Sequence, residues 1–301
     1  MNDKPHGLLP GDFRFLHRLR VRWAEAGAQK AVCNAHDLMY FDTAMIEYWR
    51  ALAVPYESGL RHLGGDLYAR KVMAEFESPA RIDDDDVFDV GLRCDRVGRS
   101  SIAFAAALFR GGNRLASYEV VYGYTTRPAS SACPQKAQPV PAALRDLLLG
   151  FEAGEAVRSV HMGDWIALGA QASALRRAVF VQEQGIAPEL EWDALDAQSL
   201  HVVARNRIGQ VIATGRLLPA EAGGAVARIG RMAVEHSLRG SGHGAAVLRA
   251  LEDAACRRGQ REVLLHAQRS AEGFYRRLGY SVAGAPFEEA GIAHIEMRRM
   301  L

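Results

Sequence analysis

Four prolines fall within residues 125–144 (TTRPASSACPQKAQPVPAAL), and the hydrophobic pattern before them differs from the pattern after them. Proline lacks a backbone N–H and fixes φ, so such a cluster interrupts helices and sheets alike and reads as a loop or linker. The chain has 301 residues, enough on each side for a separate core. Two domains are expected, over residues 13–152 and 158–301.

Before the prolines the order is a strand at 15–23, a helix at 39–52 and strands at 67–77, 87–94, 101–110 and 114–125. Phe41, Met45, Tyr48, Trp49 and Leu52 recur at helical spacings of three and four, whereas Phe88, Val90, Leu92 and Cys94 alternate like a half-buried strand. One helix followed by an antiparallel meander implies an α+β domain, a sheet wrapped around the helix, closed by a short helix at 144–151. After residue 157 strands and helices alternate, with helices at 164–181, up to Arg258 and at 271–278. Strands fall at 200–204, 210–217, 225–234, 262–267, 280–283 and 292–300. The strand at 225–234, the next helix and the strand at 262–267 make a βαβ unit, which forces a parallel pair within an α/β domain.

Composition excludes several functions. The chain is 49% hydrophobic and 24% charged, so it is not disordered. Lys+Arg 37 against Asp+Glu 35 leaves +2, spread evenly over both halves, and gives no basic face for nucleic acid. Cys33, Cys94, Cys133 and Cys256 lack metal-ligand spacing and read as reduced thiols, with no metal site expected. The four aspartates at 83–86 read as a solvated turn. Without a signal segment or a membrane-length apolar run, the expected location is the cytoplasm.

The loop Arg239, Gly240, Ser241, Gly242, His243, Gly244 lies between a strand and the helix it opens. Unpaired N–H groups at a helix start, with glycines allowing close approach, form an anion cradle suited to a pyrophosphate. Ala245 and Ala246 stand where a P-loop needs Lys-Ser/Thr, and the spacing is not G-x-G-x-x-G.

R-x-x-G-x-G after Met232, Ala233 and Val234, then a strand, then AEGFYRRLGY, resembles the acetyl-CoA-binding core of the GNAT acyltransferase superfamily. The resemblance implies acyl transfer from acetyl-CoA or a longer acyl-CoA to an amine acceptor. The pyrophosphate would lie on Arg239, Gly240, Ser241, Gly242, His243 and Gly244, and the pantetheine along Met232, Ala233 and Val234. Tyr275 would be the general acid. Glu183 is the first choice of base, with Glu235, His236, His266 and His294 as the other candidates.

The segment RVRWAEAGAQKAVCNAHDLMYFDTAMIEYWRAL resembles the opening of hotdog-fold thioesterases of the 4-hydroxybenzoyl-CoA type. That family carries D-x-D-x-x-G, but here Gly27 stands at the catalytic position and Lys30 replaces the turn glycine. Little thioester hydrolysis is therefore expected. Glu25, His36 and Asp37 are the candidates for a displaced acid or base, and the domain is expected to pair with a second copy as a homo-oligomer. The implied protein is a hotdog domain fused to a GNAT N-acyltransferase. Two other readings stay open, a non-catalytic acyl-CoA-binding or regulatory protein and a thioesterase whose GNAT half is a sensor.

Overall fold

A computed structural model describes residues 8–27, 30–81, 87–127, 135–220 and 224–301. The aspartates at 83–86 and Cys133 lie outside the described residues. The chain divides into two compact units, one ending at Val157 and the other beginning at Arg158.

The first unit contains β1 (Phe15–Arg20), α1 (Asn34–Ala51), α2 (Tyr56–His62), β2 (Asp66–Phe76), β3 (Val87–Val97), β4 (Ser101–Arg110), β5 (Asn113–Thr125) and α3 (Ala142–Glu152). Its antiparallel sheet has the order β1-β3-β4-β5-β2. On α1 the fully buried Tyr48 meets Phe15 of β1, Phe104 of β4 and Phe151 of α3 edge-on, with centroids 5.5, 5.9 and 5.4 Å away. These rings fasten the helix to the sheet that curls around it. Phe13 covers the opposite face beside Phe109, lying so close to Gly91 that any Cβ there would sit 2.5 Å from its ring.

The helix expected from Met39 begins at Asn34, because the polar first turn hides its periodicity. The first strand stops at Arg20, where Trp23–Glu25 turns into a 3-10 helix closed by the Glu25 carboxylate on the Arg22 amide. The short helix α2, seven residues that include Gly59, carries too little pattern to be read from the sequence.

The second unit contains β6 (Arg158–Gly163), α4 (Trp165–Arg176), α5 (Pro188–Glu191), β7 (Leu200–Asn206), β8 (Val211–Leu217), β9 (Val226–Val234), α6 (His243–Arg257), β10 (Glu262–Gln268), α7 (Glu272–Arg277), β11 (Ser281–Val282), β12 (Phe287–Glu289) and β13 (Ile292–Met300). The sheet order is β11-β13-β10-β9-β8-β7-β6, with β12 added on β13. Within it β9 and β10 run parallel, as the βαβ unit requires. Asp164 caps α4 by accepting from the Ala167 amide at 2.8 Å. Beyond Arg176 the helix loosens into a π-turn, Arg177–Glu183, that ends beside the loop opening α6. Val263, Leu265 and Ala267 are buried, while Leu264, His266 and Gln268 emerge on the other face of β10.

Among the described residues, no helix is long and apolar enough to cross a membrane.

Candidate functional site

The second unit's sheet splits where its chemistry begins. β9 and β10 pair only from Val226 with Glu262 to Ile229 with Leu265, yet the strands continue to Val234 and Gln268. The split starts at a bulge. Ala213 and Thr214 face Val234 and Ala233, but the next pair is Arg216 with Gly230, leaving Arg231 and Met232 opposite Gly215 alone. Arg231 adopts φ 52, a left-handed conformation uncommon for a residue with a side chain. It is held there by donating to the Glu191 and Leu190 carbonyls at 3.1 and 3.2 Å and to the Asp193 carboxylate at 3.3 Å. Gly215 supplies the space, since a Cβ there would lie 2.4 Å from the Met232 sulfur.

Next to the split, Gly240 and Gly242 take φ 85 and 80, conformations that favour glycine. They turn the chain into α6, whose first closing bond runs from the Ala246 amide to the Gly242 carbonyl at 3.2 Å. The preceding first-turn amides, from Gly242 to Ala245, have no helical acceptor. They border a cleft of about 620 Å³ lined also by Met232, Ala233, Val234, Arg239, Gly240, Phe274 and Tyr275. Ser241 is not part of this lining. The His243 ring is buried and turned toward Arg158, and burial followed by the Arg158 charge pushes it down to about 4. Its backbone therefore faces the cleft with no imidazolium charge behind it at neutral pH.

A second cleft of about 360 Å³ opens on the exposed face of β9 and β10. Gln184, Met232, Gln268, Ala271 and Tyr275 line both clefts. Gln268 donates to Gln184 at 2.9 Å across this junction. Tyr275 is only 7% exposed, packs edge-on against Phe274 and Tyr280, and makes no hydrogen bond through its hydroxyl among the described residues. Burial pushes its phenol well above the ordinary tyrosine range, so it remains protonated.

The floor of the second cleft is an ion network. Arg216 donates to both carboxylate oxygens of Asp193, at 2.7 and 2.6 Å, and to Asp196 at 2.6 Å. Buried Arg176 joins Asp196 to Glu191. These partners are far apart in the chain and carry no spacing signal, so only the fold brings them together. His266 and His294 line the same cleft. His266 Nδ1 lies 3.5 Å from Glu289, and its ring meets Phe287 edge-on at 4.8 Å.

Glu183 lines neither cleft, which corrects its expected placement in the acceptor pocket. It accepts from both Arg239 guanidinium nitrogens and lies 3.3 Å from His236 Nδ1. The Arg239 bonds hold its carboxyl below the usual range, making it a poor proton acceptor. Glu235 is also occupied, capping the short turn His236–Leu238 through the Leu238 amide.

In the first unit Gly27 sits in a tight hairpin. Its amide donates to the Ala31 carbonyl and its carbonyl accepts from Lys30, both at 2.9 Å. Lys30 takes φ 55 in the same turn. The Glu25 carboxylate is occupied by the Tyr40 hydroxyl at 2.7 Å and the Arg22 amide at 2.8 Å. Asp37, in the first turn of α1, is different. It is 4% exposed, and its Oδ1 has no partner among the described residues. The buried Tyr118 hydroxyl and His36 Nδ1 also lack partners there. Burial pushes Asp37 up to about 6, and its charge contributes to raising Tyr118.

The family model of the acetyltransferase (GNAT) domain matches residues 172–301, and that of the thioesterase superfamily matches residues 34–117. The uncharacterized N-acetyltransferase YjcF of Bacillus subtilis (strain 168) is 35% identical over 126 residues, which cover 42% of this chain and 87% of that protein. The uncharacterized protein YyaT of the same organism is 32% identical over 132 residues, covering 43% and 86%. A solved acyl-CoA N-acyltransferase from Pseudomonas aeruginosa is 30% identical, covers 47% of this chain and 99% of its own, and superposes with a TM-score of 0.43.

Proposed function

From a chain that belongs to the GNAT acetyltransferases through its second unit and to the thioesterase superfamily through its first, we propose an acyl-CoA-dependent N-acyltransferase, moving an acetyl or longer acyl group to an amine. The observation that carries this reading is the junction of the two clefts at Met232, Gln268 and Tyr275. A thioester reaching through the split in the sheet would meet an amine arriving from the open face.

The pyrophosphate of acyl-CoA lies on the amides from Gly242 to Ala245, with Arg239 beside it, and the pantetheine follows Met232, Ala233 and Val234. The amine nitrogen attacks the thioester carbonyl, forming the C–N bond and breaking the C–S bond. His266, oriented through Nδ1 by Glu289, receives the proton the amine loses, in place of Glu183. Tyr275 offers its hydroxyl hydrogen to the departing thiolate, which leaves as free CoA. His266 then gives its proton to solvent and Tyr275 takes one back from solvent. Both side chains return to their starting protonation states, and the net change is thioester plus amine to amide plus CoA thiol.

A second reading rests on Asp37. A buried carboxylate whose charge reaches the Tyr118 hydroxyl, neither having a partner for these atoms among the described residues, suits a water-activating base, so the first unit would hydrolyse acyl-CoA from a position other than Gly27. Pairing with a second copy is supported by β2, an edge strand that leaves Val72, Met73 and Phe76 exposed.

The test is CoA release by the whole chain, measured with acetyl-CoA and longer acyl-CoAs with and without a panel of amines. Release that requires an amine and yields the amide is expected. Release at the same rate without any amine would sink the transfer reading.

A further inference from the structure

The charges in the open-face cleft nearly all have partners. Arg216 is taken by Asp193 and Asp196, and Arg231 by Asp193 and the Glu191 and Leu190 carbonyls. Glu191 is held by Arg176, and Glu289 lies against His266. Arg228 differs. It lines this cleft with an exposed side chain, and among the described residues its guanidinium makes no hydrogen bond, ion pair or ring contact.

Its position is also informative. Arg228 pairs in register with Leu264, and His266 is two residues further along β10. Alternation places Leu264 and His266 on the same face of that strand, and all three residues line the cleft. A rise of about 3.3 Å per residue and a strand spacing of about 4.8 Å put the Arg228 and His266 Cα atoms about 8 Å apart. One end of the cleft thus presents an unengaged guanidinium fork, and the other presents the imidazole and the Tyr275 hydroxyl.

We infer that the acceptor is a small amine carrying an anionic group, with Arg228 binding the anion while the amine lies at His266. The inference rests on the transfer reading above and adds the acceptor's chemical class. Carboxylate and phosphate share the chemistry a guanidinium fork recognises, two or more oxygens in a plane facing two N–H groups. Because this contact is remote from the reacting carbonyl, it acts on acceptor binding and belongs in KM.

The experiment compares β-alanine, O-phosphoethanolamine and n-propylamine as acceptors for the whole chain and for Arg228→Gln, with CoA release and CoA affinity both measured. Arg228 is exposed, so the variant should fold and bind CoA as the parent does. The parent should use one or both anionic amines with kcat/KM at least about tenfold above propylamine, the size expected of one charge-assisted contact. Which of the two it prefers identifies the anion. Arg228→Gln should erase the advantage through KM and leave propylamine within about twofold of its parental value. Equal use of propylamine by the parent, or an advantage that survives in the variant, overturns the inference while leaving the transfer reading in place. No amine-dependent release from any of the three, with CoA still bound, overturns the transfer reading and this inference together.

Discussion

Arg239 closes on Glu183 through both terminal guanidinium nitrogens, 2.6 and 2.7 Å from the two carboxylate oxygens. The pair joins the end of the π-turn to the loop that opens α6, and both side chains remain about one-third exposed. An ion pair at that exposure is worth about 0 to 1 kcal/mol, so its consequence is orientation more than stability. Glu183→Gln keeps one acceptor oxygen and removes the charge. CoA affinity should weaken a few-fold while kcat for amine acylation is retained. A loss of kcat by 100-fold or more, at unchanged CoA affinity, would restore Glu183 as the base.

Gly242 tests the phosphate cradle. A β-branched residue at φ 80 is strained whatever space surrounds it, so Gly242→Val should cost roughly 1 to 3 kcal/mol and disturb the first turn of α6. Gly209, at φ 87 between β7 and β8, supplies a control in which Val brings the same strain away from the cleft. Calorimetry should show CoA affinity falling at least tenfold in Gly242→Val and unchanged in Gly209→Val. Equal effects of the two would remove the loop as the cradle.

Tyr275→Phe deletes the hydroxyl and keeps the ring contacts with Phe274 and Tyr280. A thiol of reference pKa about 8.5 leaves readily, so help from a proton donor falls at or below the lower limit of the usual range, about tenfold to 100-fold. The turnover number should drop by that factor with melting temperature and CoA affinity held. Equal turnover would make Tyr275 a packing residue.

Asp37 gives a pH dependence with a definite sign. Burial raises its carboxyl from 3.8 to about 6, so the folded state resists ionisation that the unfolded chain accepts. Stability is undiminished below pH 4 and is lost as pH rises from about 4 to about 6, by roughly 1 to 3 kcal/mol. Asp37→Asn stays neutral. Its melting temperature should exceed the parent's at pH 8, and the gap should close at pH 4. The substitution should also abolish whatever acyl-CoA hydrolysis occurs without an amine; hydrolysis that persists removes the second reading.

The division between Val157 and Arg158 predicts that residues 1–157 and 158–301 fold when expressed separately, the first as a dimer in sedimentation. Failure of either segment to show a cooperative thermal transition would contradict independent folding.

Local spacing accounts for the elements legible in the order of the residues. Alternation in β3, the strand–loop–helix order around Gly240 and Gly242, and the βαβ order that makes β9 and β10 parallel all lie within a few dozen residues. Each depends on the backbone's own period or on a glycine's freedom at positive φ, which nearby residues express directly. Side-chain roles depend on partners and on desolvation, which spacing does not encode. Glu183 reads as an available base until Arg239, 56 positions away, closes on it. Glu25 and Asp37 read as equivalent acids, yet the fold gives the first two hydrogen-bond donors and leaves an oxygen of the second buried without one. Arg176, Arg216 and Arg231 are consumed by Glu191, Asp193 and Asp196, while Arg228 on the same strand as Arg231 is not. An arginine's sequence neighbourhood cannot specify whether its charge is spent on the fold or left for a ligand. That is settled by which carboxylates the tertiary structure brings within about 4 Å, the range over which an ion pair forms.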